Sequence, residues 1–102
     1  MKLMTKEIRE KIKPLMYYEK HNTEDIPIAV KFFTPDSNWT WYAYEFDGED
    51  EFFGLVDGFE MEFGSFSLKE LESVRGALGL PIERDLHFGK VMVQEILDKK
   101  ER

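Results

Sequence analysis

Residues 32–66 read FFTPDSNWTWYAYEFDGEDEFFGLVDGFEMEFGSF. This stretch holds twelve of the chain's fifteen aromatic side chains and nine carboxylates, with no lysine or arginine among them. Apolar and other residues alternate along it, and the alternation is interrupted at Thr34-Pro35-Asp36-Ser37-Asn38, Asp47-Gly48 and Asp57-Gly58. A period of two bounded by turn formers is the pattern of antiparallel strands. Proline presets φ at such turns, while aspartate and asparagine bond their own backbone. The strands are predicted at Ile28–Phe33, Trp39–Phe46, Phe52–Val56 and Phe59–Phe63, as a meander in chain order.

Pairing decides which side chains share a face. Asp57-Gly58, between Val56 and Phe59, predicts a two-residue type I′ turn. Val56 then faces Phe59, Gly54 faces Met61 and Phe52 faces Phe63. An even loop around Gly48 adds Trp39, Trp41, Ala43 and Glu45 to that side, which becomes the first core face. The other face carries Thr40, Tyr42, Tyr44, Phe46, Phe53 and Leu55 beside Asp57, Glu60 and Glu62. A slip or bulge of one residue would exchange these sets.

Working outward, Thr5 caps a short helix that sets Ile8 and Ile12 on one side, and Pro14 ends it at Lys13. Residues 15–26 show no period and read as a connection, with His21 an exposed loop residue. After the sheet, Ser67-Leu68-Lys69-Glu70 is a capping box, with Phe66 and Leu71 placed as its hydrophobic staple. It opens a helix over Leu68–Arg75, which Gly76 is expected to close in the left-handed conformation. Ala77–Gly89 is irregular around Gly79 and Pro81, with an extended piece near Ile82–Phe88. A last helix, Val91–Lys99, presents Val93, Ile96 and Leu97 and ends in a charged tail that frays. The fold class is α+β: an antiparallel meander of about four strands, a short N-terminal helix and two C-terminal helices.

At 102 residues the chain suits one domain, able to bury roughly 65% of its unfolded surface in a single core. It contains no cysteine, which excludes disulfides and thiol chemistry and suits a reducing compartment. No apolar run has the length of a signal peptide or a membrane span, so a cytoplasmic setting without membrane contact is expected. The net charge of −7 is concentrated: residues 32–66 carry −9, while the segment before them is +2 and the one after is neutral. Such a surface repels a phosphate backbone and argues against direct nucleic-acid binding.

No catalytic motif stands above background. Glu45, at the end of an otherwise apolar face, occupies the desolvated setting that general-acid chemistry uses. Its structural alternative is a margin position reaching water, Arg75 or Arg84. Asp36 and the Glu83-Arg84-Asp85 run, beside His87, are the other polar candidates, and Arg84 bridging backbone carbonyls or a carboxylate would explain that run structurally. Asp47, Glu49, Asp50 and Glu51 lack the spacing of a calcium loop. No glycine loop has phosphate-binding spacing and no serine sits in a nucleophile elbow, so neither cofactor nor metal is expected. The Trp39–Tyr42 aromatic run could stack bases but has no basic company.

The blocks FFTPDSNWTWYAYEFDGEDEFFGLVDGFE and SFSLKELESVRGALGLPIERDLHF resemble a family of small proteins of unknown function found on plasmids, phages and other mobile elements. The chain is identified as a member of domain-of-unknown-function family twenty-nine fifty-eight, with the resemblance running from Met1 through Phe88 and departing mainly at residues 16–26 and after Gly89. It implies a stand-alone bacterial or phage-borne protein used in the element's dealings with its host, and it carries over no catalytic residues.

The leading expectation is a non-enzymatic module that contacts another protein, of the host or itself, through Asn38, Trp39, Tyr42, Tyr44, Phe53, Leu55, Asp57, Glu60 and Glu62. An acidic DNA mimic is a variant of it. The alternative is a small hydrolase or other enzyme using Asp36, Glu45 or the Glu83-Arg84-Asp85 cluster. The second face needs a cover, since bare Tyr42, Tyr44, Phe53 and Leu55 would form a large apolar patch. The second helix and Leu78–Phe88 are expected on one face, with the N-terminal helix or a partner on the other. If the chain covers both, the contact moves to the Thr34–Trp39 loop.

Overall fold

A computed structural model describes residues 1–100, so Glu101 and Arg102 at the end of the predicted charged tail lie outside the described residues. Helix α1 spans Lys6–Lys11, strands β1 to β4 span Val30–Phe33, Thr40–Phe46, Glu51–Asp57 and Met61–Ser67, helix α2 spans Leu68–Ser73, strand β5 spans Glu83–Arg84 and helix α3 spans Val93–Lys100. The sheet is antiparallel in the order β4-β3-β2-β1-β5. The α+β meander is as expected, with one strand more: β5 adds to the free side of β1 from within the stretch read as an extended piece.

Both N-cap hydroxyls act as expected, but the return arm of the capping box, Glu70 to the Ser67 amide, is not among the hydrogen bonds of the described residues. Thr5 Oγ1 accepts from the Ile8 amide (3.1 Å) and Ser67 Oγ from the Glu70 amide (3.2 Å). The carboxylate that completes the α2 cap is Asp50, whose oxygens accept from Ser67 Oγ (2.6 Å) and the Lys69 amide (2.8 Å). These bonds, the Ser67 hydroxyl first, hold the Asp50 carboxyl below its ordinary range. Helix α2 stops at Ser73 rather than Arg75, and Gly76 is not left-handed. Gly76 is needed for space instead, because a Cβ there would strike the Asp36 carboxylate.

Two features overturn the predicted faces. The first is a bulge: Ala43 pairs with Gly54 but Glu45 with Phe53, so Tyr44 is the extra residue. Past it, Phe46 lies opposite Phe52 and joins the first face, while Glu45 moves to the second. Gly54 makes this possible, since a Cβ there would meet the Tyr42 carbonyl oxygen. The second is the β3–β4 hairpin, which closes through residues 58–60 with Asp57 opposite Met61, not through two residues. That odd shift puts Met61, Phe63 and Ser65 on the second face, and Glu62 on the first, opposite Val56. Glu60 belongs to the hairpin tip rather than to a face.

Each face then has its own core. The first gathers Phe32, Trp41, Ala43, Phe46 and Phe52 under Leu3, Met4 and Ile8 from the N-terminal segment, Leu68 and Leu71 from α2, and Ile82. Phe66 packs against the same cluster that holds Leu71, and its ring stacks on Phe52 (5.4 Å). The second gathers Tyr44 and Leu55 under Ile26 and Ile28 from the connection and Val93 and Ile96 from α3. The expected division of helices is therefore corrected: α1 and α2 share one face, and α3 with the connection closes the other. Phe32, Phe52, Leu55 and Val93 are fully buried, each contributing about 1.5–3 kcal/mol by area. No helix among the described residues is long and apolar enough to cross a membrane.

Candidate functional site

Most of the sequence-derived candidates hold the fold together. Glu45 is 4% exposed. Its carboxylate bonds backbone amides rather than Arg75 or Arg84: Oε1 accepts from the Met16 amide (3.0 Å) and Oε2 from the Tyr18 amide (2.8 Å). Since Phe46 N–H also bonds the Lys13 carbonyl (2.9 Å), the bulged end of β2 fastens the connection after α1. Met16 takes a left-handed φ of 69° at this clamp. The neighbouring Tyr44 hydroxyl is pushed up to about 12, first by burial and then by the Glu45 charge.

Asp36 Oδ2 accepts from the amides of Leu78 (2.7 Å) and Leu80 (3.2 Å), and Ser37 Oγ accepts from Ala77 (3.3 Å), so the 34–39 and 74–80 loops are tied together. Asp36 Oδ1 is buried without a hydrogen-bond partner and faces Gly76. Arg84 donates from Nε to the Lys2 carbonyl (3.2 Å), a contact with one backbone carbonyl rather than the expected bridge. Asp85 accepts from the His87 amide (2.9 Å) and pairs with Lys31 (3.7 Å), and Glu83 lies opposite Phe33 at the β5 edge. Glu45 lines one groove, the Glu83-Arg84-Asp85 run lines another cavity, and Asp36 lies against Gly76 and the 78–80 backbone, so the three are not brought together in either. Among the described residues no group of three His, Cys, Asp or Glu is placed to hold a metal ion.

The acidic block is also partly structural. Asp47 Oδ1 accepts from the amides of Glu49, Asp50 and Glu51, which lowers its pKa below the ordinary value. Asp57 pairs with Lys100 (3.0 Å). Glu49, Glu60 and Glu62 are exposed and make no ion pair among the described residues.

Of the proposed interface residues, Tyr44 and Leu55 are buried by the chain itself, and Tyr42 and Phe53 are half-buried, Tyr42 beside Phe88 (6.2 Å). The second face is thus closed over most of its area. Smaller openings border Tyr42 with Asp57 and Tyr44 with Phe88, and two larger ones stand out. At the loop end, Asn38 is exposed and Trp39 is half-buried, stacked on Trp41 (5.9 Å) and touched edge-on by Phe59 (5.3 Å). Phe59 is 94% exposed and Leu78 is 81% exposed. A Cβ on Gly58 would run into the Trp39 ring, so the hairpin tip lies flat on the indole. A cavity of about 560 Å³ opens between Trp39, Trp41 and residues 74–77. The sequence signal for Phe59 was misread, because a two-residue turn made it a strand residue.

The second open place is a groove of about 550 Å³ on the second face, between the connection and the outer half of the sheet. Met16, Tyr18, Ile26, Tyr44, Phe53 and Phe63 wall it, with Glu51 at its rim.

The fold and these surfaces define a small two-cored antiparallel sheet domain with apolar openings at one end and beside one edge. The chain belongs to the family described as Protein of unknown function (DUF2958), whose model matches residues 3–96. No curated protein and no solved structure matches it.

Proposed function

We propose that this protein is a cytoplasmic, non-enzymatic interaction module that docks another protein on the apolar end formed by Trp39, Phe59, Val74 and Leu78. The observation that carries this reading is Phe59, a large aromatic side chain almost wholly in solvent yet braced on Trp39. An exposed aromatic resting on Trp39, which itself lines a cleft with Arg75, and followed in the chain by Glu60 and Glu62, has the composition of an interface anchor. The separation of the carboxylate and arginine candidates, each bound to the chain's own backbone or an ion partner, counts against the hydrolase alternative. The resemblance to proteins of mobile elements favours a host protein as the partner.

The test is capture from lysate of the encoding organism with wild type and Phe59→Ser, washed at low and at high salt. A partner held by wild type through both washes and lost by Phe59→Ser is expected, with unchanged thermal stability because the ring contributes little to either core. Identical proteins retained by both forms would refute the reading.

A further inference from the structure

The two ends of the sheet differ. On one side β5 contributes only two residues, a blunted edge; on the other β4 runs seven residues with no strand beyond it. Natural edges are protected by charges, lysine above all, by proline or by bulges; β4 has neither lysine nor proline, its register is unbroken, and its one charge is Glu62.

The hydrogen-bond phase of β4 follows from its flanks. Leu68 N–H bonds the Asp50 carbonyl (2.9 Å) and Gly58 N–H bonds the Glu60 carbonyl (3.1 Å). In the β3–β4 register these are members of the same alternating set as Phe52/Phe66, Gly54/Gly64 and Val56/Glu62. Bonded and non-bonded pairs alternate in an antiparallel ladder. Glu62, Gly64 and Phe66 therefore spend their backbone groups on β3, and Met61, Phe63 and Ser65 direct N–H and C=O outward. The same three residues carry their side chains on the second face, where Phe63, 47% exposed, walls the 550 Å³ groove.

We propose that β4 accepts an extended segment of a partner protein as a sixth strand, its large apolar side chain entering the groove and its lysine or arginine side chains turned to the first face along Glu62, in the negative field to which Glu60 at the hairpin tip and Glu51 at the groove rim add. Main-chain bonding to an edge supplies affinity and an adjoining pocket supplies specificity, the usual division in strand addition. Charge selects the occupant. Glu51, Glu60 and Glu62 are exposed around this edge, and no cation occurs in residues 32–66. A second copy of the chain would bring two such blocks together, so a cationic segment is favoured over self-pairing. This surface is distinct from the aromatic end, and its binding does not require Phe59.

The probe is a synthetic peptide alternating lysine and valine with one central phenylalanine, compared with the same peptide carrying glutamate for lysine. Amide exchange on the free protein should be fast at Phe63 and Ser65 and slow at Gly64 and Phe66. The lysine peptide should slow exchange at Phe63 and Ser65 and should bind more weakly as salt rises, while the glutamate peptide should leave both unchanged. Ser65→Pro removes an outward N–H, which an edge strand tolerates, together with the exposed bond from the Ser65 hydroxyl to Glu51; it should weaken binding about tenfold or more without changing the melting curve, whereas Ser65→Ala, which loses only the hydroxyl, should bind as wild type does. Glu51→Lys with Glu62→Lys should weaken it in the same way, and Phe59→Ser should not affect it. Protection at other residues, binding unaffected by Ser65→Pro and the charge reversals, no binding of the lysine peptide, or concentration-dependent protection of Phe63 and Ser65 without peptide would each overturn the proposal, the last by giving the edge to a second copy.

Discussion

Replacing Glu45 by glutamine keeps the shape of the side chain and changes one oxygen to an amino group. In the native protein both oxygens accept backbone N–H groups, from Met16 and Tyr18. Glutamine can satisfy one and sets a donor against the other. A hydrogen bond to a charged group contributes about 1.5–3 kcal/mol, and a buried donor left unpaired costs about 1–3 kcal/mol. The two amides are only partly buried, so the lower half of that range applies. The expected loss is about 1–2 kcal/mol for Glu45→Gln, which leaves one amide unpaired, and about 2–4 kcal/mol for Glu45→Ala, which leaves both and also a gap beside Tyr44. Urea unfolding followed by far-ultraviolet circular dichroism reads this as a lower midpoint at constant slope. A local readout accompanies it: with Met16 released from its left-handed φ, trypsin should cut after Lys20 sooner. A carboxylate kept for chemistry behaves in the opposite sense, since its replacement commonly raises stability. A Glu45→Gln protein within about 0.5 kcal/mol of wild type, cut no faster at Lys20, would refute the clamp.

Ser67→Ala should cost about 1 kcal/mol through the cap, lowering the melting temperature by about 4–8 °C in a calorimetric scan. Tyr44 titrates at about 12 when folded against an ordinary 10.0, so its contribution is complete below pH 10 and is lost as pH rises through about 12; the loss should reach about 2–3 kcal/mol in alkaline urea titrations and be absent in Tyr44→Phe. Asp47 and Asp50 are shifted the other way from 3.8, so their share is present above that value and lost as pH falls below it, which an acid titration of Ser67→Ala should show in reduced form. Labelled duplex DNA at low salt should bind no tighter than the roughly micromolar nonspecific range, and nanomolar binding in a fluorescence titration would overturn the electrostatic argument.

What could be read from the sequence were the features encoded within a few residues. Thr5 and Ser67 announce their helices because a hydroxyl beside three open amides has one obvious use, and Pro35 and the Asp-Gly pairs mark where strands end. Quantities set by distant partners were out of reach. The hairpin tip took three residues where Asp57-Gly58 suggested two, since Gly58 packs against Trp39, nineteen positions earlier in the chain. The extension of the sheet by β5 depends on Phe32 and Phe33 finding Arg84 and Glu83, and nothing local to either segment specifies that pairing. The closing of the second face by α3 was missed for the same reason, since Val93 and Ile96 fit either face equally well by periodicity.

The bulge at Tyr44 is the one distant feature whose trace was present locally. Trp41 and Ala43 fall on the first face, and strict alternation would carry Glu45 into the first core and Phe46 onto the second face. A carboxylate among apolar rings is the costly arrangement, and one inserted residue exchanges the two, leaving Glu45 buried where backbone amides meet both its oxygens. The structure takes that solution, and its consequences reach the surfaces proposed for binding. With Phe46 turned onto Phe52, the first core is completed. With Glu45 turned onto the second face beside Tyr44, its two oxygens seize the amides of Met16 and Tyr18 and hold the connection against the sheet. Met16 and Tyr18 are one wall of the groove, and Phe63 of β4 is the other. The carboxylate that invited a catalytic reading is thus a positioning group: it fixes the wall against which a strand added to β4 would lay its apolar side chain. Glu45→Gln should therefore weaken the lysine peptide through the groove, while the outward amides of Phe63 and Ser65 keep their fast exchange in the free protein.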